Sequence, residues 1–428
     1  MVAQILSALR SNFAGNRLFR NFAWLMGAEF LSRVCRIVTA IIIARTLDVA
    51  AFGIAALALT VFELLRVFTE NGIGAAVIRA PDDELEATAH TAYRLMWIVC
   101  QSLASVQICA GIILQSLYPQ TQLGSMLGVL AIIYLIMPFG VVQAYLLQRQ
   151  QQMKRLALVA TSQTLSDHLL TAGLAIAGLG PWALILPKLL TTPIWLVGIR
   201  SSHAWRYQPE ATHHPVRQIL IFSAPVLTAE LAVVAREQAD KVIIVWYYGL
   251  DILGLYYFAF NAGLGLSSSL NRAFINALYP NLCAGRPAIS VLYRRFRTAM
   301  LMFAIPLCCG YLLQAAAALY YVPIIFGAGW SYAAPLVASL CLLGPSKLII
   351  DSLRVYCRTQ GNTKFEFAYS LLLTGLLLTP LATLAPLGLI PAVSSAIFST
   401  SLFSLVSLSL VLIQPPGGWE WPNRRARI

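Results

Sequence analysis

Long apolar runs alternate with short polar connections along the whole chain. Runs of this length can satisfy their backbone in lipid only as helices. They predict twelve spans, near 22–44, 51–78, 91–117, 123–148, 157–178, 181–199, 218–248, 252–280, 296–322, 331–355, 366–385 and 387–413. Basic residues collect in alternate connections, including Arg149, Lys154 and Arg155, then Arg286, Arg294, Arg295 and Arg297. The opposite set holds little beyond Arg45. The positive-inside rule then puts both termini and the polar stretch 201–217 in the cytoplasm. The segments expected are a six-helix lobe over 1–200, a linker over 201–217, a second six-helix lobe over 218–414 and a basic tail over 415–428.

Charges interrupt these apolar runs in an ordered way. The first span carries Glu29, Arg33 and Arg36. Three charges at a helix centre cost on the order of 8–10 kcal/mol on an insertion scale, and its apolar residues return roughly 3–6. Their i, i+4, i+7 spacing puts all three on one stripe, which can face a protein interior or a wet cavity. Glu63, Arg66 and Glu70 repeat the device in the second span, which ends in the small-residue run Gly72–Ala76 that permits close helix approach. The seventh span holds Glu230, Arg236, Glu237, Asp240 and Lys241, and the eighth holds Arg272 among asparagines.

Mixed signs imply internal ion pairs, Glu29 with Arg33 among them. The expected surplus is positive: Arg33, Arg36, Arg66, Arg236, Lys241 and Arg272 are the candidate contacts for an anionic cargo, most simply a phosphate. Glu29, Glu63, Asp167, Glu230 and Asp240 are candidates either for structural pairing or for coupling to an ion. Two of these features recur at one interval, since Arg33 and Arg236, and Asp48 and Asp251, stand 203 residues apart. The copies are offset by six spans, so both share one orientation and the repeat is parallel, about an axis along the membrane normal.

Only 11% of the 428 residues are charged, about half the share of a soluble domain, and no polar stretch is long enough to fold alone. The expected fold class is an all-α polytopic membrane protein, two six-helix lobes around a central cavity. The eight cysteines lie mostly in apolar runs without a Cys-x-x-Cys pair and read as small buried hydrophobes, so no metal is expected. His203, His213 and His214 of the linker are expected in solvent. The chain has no glycine-rich phosphate loop, hence no expected ATP use and no cofactor, and nothing suggests nucleic acid. Short extracytoplasmic connections argue against a membrane glycosyltransferase or polymerase.

Four segments resemble one family. They are Ile43-Ala-Arg-Thr-Leu-Asp-Val-Ala-Ala-Phe-Gly, Thr69-Glu-Asn-Gly-Ile-Gly-Ala-Ala, Leu147-Gln-Arg-Gln-Gln-Gln-Met-Lys-Arg and Gly178-Leu-Gly-Pro-Trp-Ala-Leu, with looser echoes at Gly254-Leu-Tyr-Tyr and Leu278-Tyr-Pro. In order and context they resemble bacterial polysaccharide flippases of the MOP superfamily, nearest the colanic-acid and xanthan-type exporters. Leu47-Asp48-Val49 and Glu70-Asn71-Gly72 depart from the family pattern. The resemblance implies a transporter of the bacterial inner membrane, not an enzyme. Its cargo would be polyprenyl-diphosphate-linked oligosaccharide, carried from the cytoplasmic to the periplasmic leaflet for exopolysaccharide or O-antigen assembly. Membrane lipids, a polysaccharide polymerase and co-polymerase, and H+ or Na+ are the further partners it implies. A multidrug-type antiporter of the same superfamily is the alternative.

Overall fold

The computed structural model describes residues 32, 34–70, 72–150, 152–212, 214–265, 271, 274, 275, 278, 282, 289–360 and 363–413. Among them no strand occurs. Two compact units divide the chain, Met1–Gln238 and Ala239–Ile428. The first unit contains α1 (34–46), α2 (Val49–Glu70), α3 (Ile73–Arg79), α4 (Leu85–Leu117), α5 (Leu123–Ile136), α6 (Pro138–Arg149), α7 (Met153–Ile176) and α8 (Trp182–Ser202). Helix α9 (Val216–Phe260) crosses the boundary. The second unit continues with α10 (Ile289–Ala299), α11 (Ile305–Tyr321), α12 (Ala334–Thr359), α13 (Thr363–Thr383) and α14 (Leu389–Ile413).

Each expected span therefore has a helix within the described residues. Seven stretches among them are long and apolar enough to cross a membrane, eight when the bent pair α5–α6 is counted as one span. Helix α7 is outside that set and carries Asp167 and His168 mid-length. Two spans differ in shape from the simple reading. The span expected over 123–148 bends by 57° between α5 and α6, where Pro138 supplies no amide hydrogen for a continuous ladder. The seventh and eighth spans join with almost no connection, because Gly249 (φ 79°, ψ −173°) turns the chain in a conformation that side chains with a Cβ rarely adopt.

Packing inside the first unit uses polar hooks as well as apolar contact. Gln107, fully buried on α4, donates from Nε2 to the carbonyl of Leu127 on α5 at 2.9 Å. The Tyr134 hydroxyl, also buried, donates to the Phe62 carbonyl at 3.2 Å. In lipid such donors have no water to fall back on, so each pins one helix to its neighbour. In the second unit Leu292, Phe296 and Met300 enter a core with Leu348, Leu353 and Tyr356, and the Phe296 and Tyr356 rings stand 4.6 Å apart. Outward faces remain apolar, with Ile112, Leu169, Leu313 and Phe398 among the exposed residues, as a surface solvated by lipid requires. Cys109 and Cys309 also stand on exposed faces, which corrects the expectation of burial for these two cysteines; the described cysteines are all free.

The linker is clamped rather than solvated. Trp205 and Tyr207 pack on His90 and Tyr93 of α4, with the two tyrosine rings stacked at 4.5 Å. The Gln208 amide donates to His90 Nδ1 at 3.3 Å, and Thr91 Oγ1 donates to the His214 carbonyl at 2.9 Å. His214 Nε2 lies 3.2 Å from a Glu84 carboxylate oxygen, and His203 Nδ1 accepts from the Trp205 amide at 3.1 Å. His203 and His214 thus depart from the solvated reading, because aromatic side chains beside them give the segment an apolar face to bury; His213 lies outside the described residues.

Candidate functional site

A cavity of about 660 Å³ opens inside the first unit, lined from α1, α2, α5, α6, α7 and α8. Among the described residues its charged lining is Arg36 from α1, Arg66 from α2, Asp167 from α7 and Lys188 from α8, with His168 beside Asp167. Polar neighbours include Thr69, Gln148, Gln163 and Thr192, and Trp195 and Tyr145 supply aromatic walls. Each helix delivers its residue for a local reason. Thr39, one turn from Arg36, donates to the His168 carbonyl at 3.1 Å and so ties α1 to α7. Arg66 sits one turn after Glu63, 3.4 Å away, with both side chains more than a third exposed. Lys188 follows Pro187 in a helix that holds a second proline at 193. The hydroxyls of Thr191 and Thr192 bond back to the carbonyls of Pro187 and Lys188 at 2.8 and 2.7 Å, a pattern that bends helices.

Within the cavity Lys188 Nζ stands 2.8 Å from Asp167 Oδ2. The other carboxylate oxygen, Asp167 Oδ1, is buried with no hydrogen-bond partner, as is His168 Nε2. Among the described residues, Arg36, Arg66 and Lys188 line the space with Asp167, and Glu63 stands 3.4 Å from Arg66.

Of the residues singled out by sequence, Arg36, Arg66 and Asp167 are brought to this one cavity, and Glu63 stands beside it. Lys241 and Asp240 are placed elsewhere, in the second unit. They are buried together, with Lys241 Nζ 3.4 Å from Asp240 Oδ1, the Tyr256 hydroxyl donating to Asp240 Oδ2 at 2.7 Å, and the ammonium 5.2 Å from the Phe260 ring centroid. Lys241 was expected to face a substrate; in the structure it is buried beside Asp240, whose other carboxylate oxygen accepts from Tyr256. Glu230 is half-buried on α9. Glu29, Arg33, Arg272 and the side chain of Arg236 lie outside the described residues. Lys188 was not among the sequence candidates for cargo contact. Its signal was a cation in the middle of the apolar run of α8, with its partner Asp167 21 residues earlier. No group of His, Cys, Asp and Glu able to hold a metal ion occurs among the described residues.

Comparison with known proteins bears on this geometry. A family described as "Polysaccharide biosynthesis protein" matches residues 42–335. The succinoglycan biosynthesis transport protein ExoT of Rhizobium meliloti (strain 1021) is 24% identical over 335 residues, 76% of this chain and 65% of that protein. The teichuronic acid biosynthesis protein TuaB of Bacillus subtilis (strain 168) is 23% identical over 327 residues, 73% of this chain and 65% of that protein. The alignment thus spans about two thirds of the length of these curated relatives. Among solved structures, lipid II flippase MurJ in an inward closed conformation matches with a TM-score of 0.69 at 12% identity, over 90% of this chain and 87% of that one. An inward-facing multidrug resistance MATE family transporter of the MOP superfamily matches with a TM-score of 0.60 at 13% identity, over 89% of this chain and 95% of that one. At such identities the two structures establish the fold, an all-α multi-pass membrane architecture.

Proposed function

Because the chain belongs to the polysaccharide biosynthesis protein family, we propose that it carries polyprenyl-diphosphate-linked oligosaccharide units from the cytoplasmic to the periplasmic leaflet by alternating access. The observation that carries this reading is the cavity among the helices of the first unit that Arg36, Arg66 and Lys188 line. A diphosphate is a compact anion with several acceptor oxygens that a guanidinium can grip bidentately. A charged sugar head crosses hydrocarbon slowly, and arginine, lysine, glutamine and threonine contacts replace the water it must shed. Relatives named for succinoglycan transport and teichuronic acid biosynthesis, and a fold shared with a lipid II flippase, support the same class of cargo.

The chain works as a transporter and not as an enzyme, in the bacterial inner membrane with both termini cytoplasmic. Lobes over 1–200 and 218–414 are the moving parts, joined by 201–217. Arg33, Arg236 and Arg272, whose side chains lie outside the described residues, are further candidates for anion contact. Asp167 is the carboxylate situated to release Lys188 to an incoming phosphate or to take part in H+ or Na+ coupling, and a polymerase and co-polymerase receive the product. A multidrug exporter with the same fold would take cationic drugs and need a net acidic cavity, which the three cations here oppose.

The experiment is genetic and then chemical. Deleting the gene should make one lipid-linked oligosaccharide accumulate in the inner leaflet, and the purified protein should restore its flipping in proteoliposomes. Deletion with no such lipid accumulating, together with efflux of a cationic dye by the reconstituted protein, would favour the multidrug reading.

A further inference from the structure

We propose that a groove on the outward face of α8 binds an acidic phospholipid, its headgroup at Arg200 and Arg206 and an acyl chain along Val197 and Ile194. The groove measures about 550 Å³ and its lining belongs to the first unit. Among the described residues Phe139, Leu196 and Val197 form its apolar side, and Arg200, Ser201 and Arg206 its polar end. Helix α8 presents two different faces. Lys188, Thr191, Thr192 and Trp195, at i, i+3, i+4 and i+7, line the cavity described above. Leu190, Ile194 and Val197, at i, i+4 and i+7 of the opposite face, are 51%, 37% and 66% exposed. The groove shares no lining residue with the cavity and opens where an apolar helix face meets lipid.

The two arginines are held by groups that orient them without neutralising them. Arg206 donates from Nη1 to the carbonyls of His203 and Trp205, at 2.8 and 2.7 Å, and from Nη2 to that of Arg200 at 3.1 Å. Arg200 Nη1 reaches the Phe139 carbonyl at 3.5 Å. Neither arginine forms an ion pair among the described residues. Arg155 joins them at the end of α8, donating to the Ser202 carbonyl at 2.7 Å. The gathered charge is felt at His203, whose imidazole is held below its ordinary value by burial and then by Arg206 and Arg155. From Leu190 to Arg200 the helix rises roughly 15 Å at about 1.5 Å per residue. Half of a hydrocarbon core is also roughly 15 Å deep, so the exposed stripe runs one leaflet and ends in cations at headgroup level. In the orientation proposed above this is the cytoplasmic leaflet, whose surface is anionic. A phosphate diester with no cation of its own gives both guanidinium groups a net negative partner, which a zwitterionic headgroup does not. A polyprenyl phosphate shares that phosphate, but its proposed place is on the other side of α8.

The test reads the lipid at this position alone. The full-length protein carrying Ile194→p-benzoylphenylalanine, about one turn deeper than the groove's wall at Val197, is reconstituted in equal parts of phosphatidylglycerol and phosphatidylcholine. After illumination the crosslinked lipid is identified by mass. Phosphatidylglycerol should be captured about 30-fold more than phosphatidylcholine, the factor expected of two arginines near an anionic headgroup. Adding Arg200→Gln/Arg206→Gln should bring the ratio towards unity, and raising the salt should lower it. Ser201→Glu, which keeps both arginines and adds a carboxylate to the groove's polar end, should lower the ratio as well. That second variant keeps the proposal testable if the double variant fails to fold. Equal capture of the two lipids in the otherwise unaltered chain would overturn the proposal. So would an undiminished ratio in the folded variants, or displacement of phosphatidylglycerol by an equimolar polyprenyl phosphate.

Discussion

Lys188 Nζ sits 2.8 Å from Asp167 Oδ2, while the second oxygen of the same carboxylate is buried and unpartnered. The pair is thus half satisfied on the acid side and half open on the base side, since Lys188 is 37% exposed and Asp167 only 13%. Removing either partner should have unequal consequences. Lys188→Met strands a largely buried carboxylate; a fully buried pair broken this way costs about 3–5 kcal/mol, so with Lys188 partly exposed we expect roughly 1–3. Asp167→Asn removes the group that needs compensation and should leave the folded fraction near normal. The double variant Asp167→Asn/Lys188→Met should recover the stability lost by Lys188→Met. Thermal melts in detergent check this, and a double variant no more stable than Lys188→Met would show the pair to be structurally idle.

Arg36 and Arg66 should matter to export more than to folding. Alanine at either position should lower flipping at least about tenfold, the effect of roughly 1.5–3 kcal/mol for a hydrogen bond to a charged group. Lysine should restore only part of the rate, because an ammonium lacks the bidentate fork. Glu63→Gln should be nearly neutral for stability, since exposed pairs are worth about 0–1 kcal/mol. Flipping assays on variants matched for folded protein decide the point; full activity of Arg36→Ala/Arg66→Ala would remove this cavity from the proposed pathway.

Gly74 is a packing position inside the first unit. A Cβ there would overlap the ring of Tyr145, whose hydroxyl donates to the Thr69 carbonyl at 2.6 Å. Gly74→Leu should therefore cost about 1–3 kcal/mol or more through overpacking. Tyr145→Ala in the same chain should return part of that loss. Normal stability of the single variant, measured by heat or denaturant, would mean that α6 can move away from α3 without penalty.

The linker should loosen in acid. Burial, with help from the nearby charges of Arg206 and Arg155, holds the His203 imidazole below its ordinary value of 6.5. A histidine depressed in the folded state favours docking fully above pH 6.5 and progressively less as pH falls towards its folded value. Amide exchange at Trp205, whose N–H donates to His203 Nδ1, should accelerate below pH 6.5 relative to amides in α4. His203→Gln should flatten that pH dependence, and an unchanged acid response in that variant would assign the effect to another group.

Topology can be checked directly. Cysteines placed in 201–217 and near Pro119, in a background without reactive native thiols, should label from opposite sides of intact spheroplasts. Linker labelling from outside would reverse the orientation given by the basic connections.

Sequence alone determined the class, the helix order and the presence of intramembrane charge. Those features are local: a helix in lipid is dictated by its own apolar length and its own hydrogen bonds, so the runs now seen as α2, α4, α8 and α14 could be read residue by residue. The tertiary structure decided which charges meet. Arg36, Arg66, Asp167 and Lys188 come from four helices, and no periodicity within one helix reports the facing of another. It likewise enclosed Lys241 with Asp240 and Tyr256, and clamped His214 against Glu84, although composition alone suggested an open cation and a solvated histidine. Pairing of this kind depends on side chains distant in sequence and brought within a few ångströms by packing, which is why only the fold could settle it.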